Sequence, residues 1–177
     1  MADYDGDKPY DFAISVYEGQ DTADRAYDAV KALEKDGVLS LHDAAVIYRT
    51  DSGKVKLKNK GFVAGWKGGG IGLLVGALLG GPLLGAAVGG FVGWVRGDER
   101  RDLKDQVGDH LGPDDSALAI VAENADWDAV AAAMEPFGAA FTYAELKGDA
   151  LSKLEELTSD TEVTGAAEMD FEEVDSD

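Results

Sequence analysis

Residues 11–37 read DFAISVYEGQDTADRAYDAVKALEKDG, and this stretch decides the fold. Phe12, Ile14 and Val16 alternate with Ala13, Ser15 and Tyr17, the period-two pattern of a half-buried strand. Asp21 and Thr22 then offer caps to a helix on which Ala23, Ala26, Tyr27, Val30 and Leu33 share one face, and Gly37 marks its end. A strand from about Ala44 to Arg49 is expected next, completing a strand, helix, strand unit.

The same order recurs downstream. Leu118 and Ile120 with their apolar neighbours predict a strand, Asn124 or Asp126 caps a helix, and Phe141 to Leu146 predicts a further strand. The second helix carries Trp127, Val130, Met134 and Phe137 along one stripe before Gly138 ends it. Two such halves predict an α+β fold, a ferredoxin-like split βαβ sandwich. Both apolar stripes are read as core, because each helix must bury one face against the sheet.

Between the halves lies GFVAGWKGGGIGLLVGALLGGPLLGAAVGGFVGWVRG, residues 61–97, with fourteen of the chain's 23 glycines. Gly65, Gly68, Gly72, Gly76 and Gly80 are spaced by three or four, and Gly81, Gly85, Gly89 and Gly93 step by four. On a helix this spacing makes a shallow groove that lets another backbone approach closely, so these nine residues are the expected helix-packing surface. A flexible linker would carry serine and charge, whereas residues 68–95 carry neither. Glycine costs about 1 kcal/mol relative to alanine in a helix, so such helices need tight packing or lipid to persist.

An unbroken helix over 68–95 would be about 42 Å long, beyond a hydrocarbon core of about 30 Å. Pro82 follows Gly80 and Gly81 near the middle, so a hairpin turning at Pro82 is expected. Folding there brings Trp66 and Lys67 level with Trp94 and Arg96, the aromatic belt and snorkelling cations of a membrane interface. The alternatives are burial of several hairpins against one another in a homo-oligomer, and packing of the two Trp residues on the α+β domain.

Charge is partitioned along the chain. The total of 35 acidic and 16 basic residues gives a formal charge of −19, which repels phosphate backbones and argues against a nucleic-acid partner. Residues 148–177 hold eleven carboxylates against Lys153 alone and read as a disordered acidic tail, as do the polar residues 1–10 at the other end. That opening has no basic stretch followed by an apolar run, so a cytoplasmic domain is expected, at the inner face of the cell membrane or in a soluble assembly. Residues 11–60 form the first half with its lysine-rich strand, and residues 98–147 a charged helix and the second half. Lys54, Lys56, Lys58 and Lys60 share one face of that strand, which reads as an edge defended against aggregation or as a head-group site.

Catalytic chemistry is not legible. With no cysteine and only His42 and His110, no metal site is expected. Asp3, Asp5, Gly6 and Asp7 resemble the start of a calcium loop, but Ile14 stands where the closing glutamate belongs. The glycines form neither a phosphate loop nor a dinucleotide fingerprint. We therefore expect no enzyme, no catalytic residue and no cofactor.

The run VIYRTDSGKVKLK, residues 46–58, together with the glycine insert and the flanking halves over about 9–147, resembles a bacterial and archaeal family of unknown function described as predicted membrane proteins. The resemblance implies a membrane or stress-related role and supplies no catalytic residues. The leading expectation is a non-catalytic, self-associating structural or interaction protein, with its hairpin in membrane lipid or in a homo-oligomer. A small-ligand sensory module is the alternative, by analogy with other ferredoxin-like domains.

Overall fold

The computed structural model describes residues 10–49, 55–62, 111–139, 141–146 and 171–172. Strand β1 (Tyr10–Glu18) leads into helix α1 (Thr22–Lys35), and strands β2 (Ser40–Arg49) and β3 (Val55–Phe62) follow. After the insert come β4 (Asp115–Glu123), α2 (Trp127–Met134), a 3-10 turn (Glu135–Phe137), β5 (Thr142–Glu145) and the two-residue β6 (Phe171–Glu172). They build one six-stranded sheet in the order β5-β1-β4-β2-β3-β6. Neighbours from β5 to β3 are antiparallel, and β6 pairs parallel with β3.

The sequence patterns account for most of this. Ala23, Ala26 and Val30 of α1 and Val130 and Met134 of α2 pack on Ala13 and Tyr17 of β1, Ala44 and Val46 of β2, and Leu118, Ile120 and Ala122 of β4. Burying a side chain such as Val30 or Met134 contributes about 2 kcal/mol relative to leaving it in water. Helix α1 ends as expected at Gly37, whose φ of 76° suits glycine. Val38 N–H donates to Leu33 O and Gly37 N–H to Glu34 O, so two terminal carbonyls of the helix are satisfied there.

The helix starts divide the two expectations about caps. Asp126 has extended backbone, and its Oδ1 accepts from Ala129 N at 3.1 Å, capping α2; Asn124 instead takes a left-handed turn at φ 52°. At α1, Asp21 is already helical in backbone, at φ −95° and ψ −5°, and makes no side-chain cap. A capping side chain needs an extended backbone to reach forward. Thr22 turns backward, its hydroxyl donating to Glu18 O at 2.7 Å. Strand β2 also begins earlier than expected, at Ser40, because a register shift between Leu41 and Asp43 interrupts the alternation upstream of Ala44.

The second face of the sheet is buried as completely as the first. Phe12, Ile14, Ala45, Ile47, Ala117, Ala119 and Val121 each have 0% of their surface exposed. They alternate along their strands with the residues that meet α1 and α2, so they point away from both helices. Residues 1–9, the hairpin residues beyond Phe62, the charged helix expected after residue 97 and the acidic tail apart from Phe171–Glu172 lie outside the described residues.

Candidate interaction surface

Strand β3 reads VKLKNKGF, and its register sets Lys58 opposite Val46 and Lys56 opposite Tyr48, on the helix side of the sheet. Lys60 forms an ion pair with the Asp24 carboxylate of α1, and Lys58 reaches the same carboxylate at 4.0 Å. Tyr27 donates its hydroxyl to Lys60 O at 2.7 Å. The Lys60 ammonium stands 5.8 Å from the Tyr27 ring centre, and that of Lys58 stands 5.2 Å from the Tyr48 ring centre. Burial raises the Tyr27 pKa, with Lys31 and Lys60 pulling it the other way. Two of the strand's lysines are thus held by α1, and the outer edge of β3 pairs with β6 at Leu57 and Lys58.

At the opposite edge, Trp127 opens α2 and donates its indole N–H to Asp11 Oδ2 at 2.8 Å. Its ring stacks on Tyr143 of β5, with centres 4.5 Å apart and planes 9° from parallel, and Phe141 lies 6.2 Å away. Tyr143 is 46% exposed, which leaves one aromatic face at the sheet edge in contact with solvent. Burial raises the Asp11 pKa; the Trp127 hydrogen bond opposes the shift and Glu145 adds to it. His42 packs edge-on against Tyr10, with ring centres 5.1 Å apart.

The residues singled out for helix packing, Gly65, Gly68, Gly72, Gly76, Gly80, Gly81, Gly85, Gly89 and Gly93, lie outside the described residues, as do Pro82, Trp66, Lys67, Trp94 and Arg96. What the structure fixes is where their segment starts and stops. Phe62 sits opposite Asp43, which pairs with Val121 near the end of β4, whereas β4 begins at Asp115 opposite Glu18. The chain therefore leaves the sheet at one end and rejoins it at the other. Among the described residues no group of three metal-ligating side chains occurs, and no helix is long and apolar enough to cross a membrane.

Neither Asp24 nor Asp11 stood out in the sequence. Their partners come from other elements, Trp127 lying 116 positions from Asp11, and helical or strand periodicity carries no signal for such pairs.

A family model described as a protein of unknown function, DUF1269, matches residues 65–159. That span takes in all but the first four residues of the glycine-rich insert and the second half of the sheet domain. No curated protein and no solved structure matches the chain.

Proposed function

The chain belongs to the DUF1269 family of proteins of unknown function, and from that premise we propose that it is a non-enzymatic, self-associating protein. Its apolar hairpin, residues 61–97, does the associating, in lipid or against other copies, and carries the α+β domain beside it. The observation behind this reading is that β2 pairs with both β3 and β4. The insert is therefore an excursion from one continuous sheet and not a linker between two domains. A glycine-stepped excursion whose residues 68–95 carry no charge needs lipid or another helix to cover it. The order β5-β1-β4-β2, with both helices on one face, favours a ferredoxin-like frame for the domain.

Fractionation of cells expressing the untagged protein, followed by light scattering, tests the reading. Release from the membrane pellet by detergent but not by high salt places the hairpin in lipid, and a large uniform particle without detergent places it in an assembly. Gly76→Leu and Gly89→Leu fill the groove and are expected to lower the particle mass. A detergent-free monomer whose behaviour those substitutions leave unchanged would sink the proposal.

A further inference from the structure

We propose that the outer edge of β3 is a charge-selective strand-acceptor site for an acidic extended segment, and that the chain's own β6 is the occupant it selects. The inference is independent of where the glycine-rich hairpin goes.

Strand β2 takes the inner edge of β3 from Val55 to Phe62. On the outer edge β6 pairs with Leu57 and Lys58 alone, two of the strand's eight residues. The N–H and C=O groups of a sheet edge are a template for pairing with a further strand. When a strand is added to such an edge, main-chain hydrogen bonds supply affinity and side chains at alternate positions supply selectivity. The alternate positions on the helix side of β3 are Lys56, Lys58 and Lys60.

This row keeps a surplus of positive charge in a chain whose formal charge is −19. Lys58 and Lys60 share one carboxylate, that of Asp24, and among the described residues Lys56 forms no ion pair. Two copies of β3 laid edge to edge would bring lysine rows together, and like charges across a strand pair are destabilising. An acidic residue opposite the row is favoured on the same grounds. The parallel register of β6 sets Glu172 opposite Lys58. The sequence around it, EMDFEEVDSD at residues 168–177, holds six carboxylates and no cation. One row of lysines therefore rejects its own kind and admits an acidic strand.

Two paired residues make a weak strand by themselves. Being part of the same chain compensates, because an intramolecular ligand acts at an effective concentration on the order of 1 mM. Pairing selected by charge at partly exposed lysines is also weakened by salt. Strand β6 is thus an ionic latch on the β3 edge.

The test adds a fluorescent peptide EMDFEEVDSD to the full-length chain and to a full-length variant whose own strand is disabled by Phe171→Pro and Glu172→Pro. Fluorescence anisotropy is expected to show saturable binding to the disabled chain and at least about tenfold weaker binding to the intact one, where β6 competes. Binding to the disabled chain should weaken as salt rises from about 50 mM to about 500 mM. It should be lost when Lys56→Glu and Lys58→Glu are added, and a peptide with every Asp and Glu replaced by Asn and Gln should not bind. No binding to a disabled chain still folded by circular dichroism, equal binding of the neutral peptide, or binding indifferent to the two glutamates would overturn the proposal. If the proline variant does not fold, Leu57→Cys with Phe171→Cys in the otherwise intact, cysteine-free chain takes its place. Strands pair about 4.8 Å apart, within reach of a disulfide. A within-chain link whose yield falls with salt and with Lys56→Glu supports the latch, and no link, or a yield that neither changes, refutes it.

Discussion

Ser116 caps a helix to which it is not adjacent in sequence: its hydroxyl oxygen accepts the Ala23 N–H at 3.1 Å and donates to Gly19 O at 2.6 Å. The hydroxyl sits 93 positions from Ala23, at the buried start of β4, and satisfies a first-turn donor of α1 that Asp21 leaves unmet. It ties the N-terminus of α1 to the central strand.

Ser116→Ala is expected to lower unfolding free energy by about 2 kcal/mol, since it removes a cap and takes from the buried Ala23 N–H its side-chain acceptor. Asp21→Ala is expected to change stability little. Urea melts of the two variants check the contrast, and an equal loss in both would contradict the assignment of the cap.

The raised pKa of Asp11 carries a sign that can be measured. The native state holds this proton more tightly than the unfolded chain does, so the residue's contribution to stability falls as pH rises from 3.8 through the native value. Asp11→Asn keeps an acceptor for Trp127 and removes the buried charge, so it is expected to match or exceed the wild type at pH 7. Asp11→Ala removes the acceptor and is expected to cost about 1 kcal/mol. Thermal melts between pH 3 and 7 separate the two variants.

Tyr17 is 2% exposed and its hydroxyl contacts the Met134 sulfur at 3.8 Å. Burial pushes its pKa up to about 12, with the Ser15 hydrogen bond pulling the other way. The unfolded chain loses this proton near pH 10 and the native state does not, so stability is expected to fall as pH rises from 10 toward 12. Tyr17→Phe should flatten that limb and cost little at neutral pH, which alkaline melts followed by absorbance would reveal.

Asp24→Asn removes the carboxylate shared by Lys58 and Lys60. The three side chains are between 23% and 30% exposed, so screening limits the expected loss to about 0.5 kcal/mol. The difference from wild type should shrink further in high salt. A loss that is unaffected by salt would mean that the contact acts through packing and not through charge.

By itself the sequence determined the repeating units. The alternation at Phe12 to Tyr17, the stripe from Ala23 to Val30, Gly37 and Asp126 each report a local requirement, namely a pleat, a helical face, a left-handed turn or an extended cap. Such requirements depend on neighbours a few positions away, and they are legible for that reason. The glycine steps of 61–97 are legible in the same way as a pattern. Tertiary structure alone decided the strand order, the burial of both sheet faces, the cap from Ser116, and the pairs Asp24 with Lys60 and Asp11 with Trp127. Each joins elements far apart in the chain, where the free energy comes from which surfaces meet and no local periodicity encodes the partner.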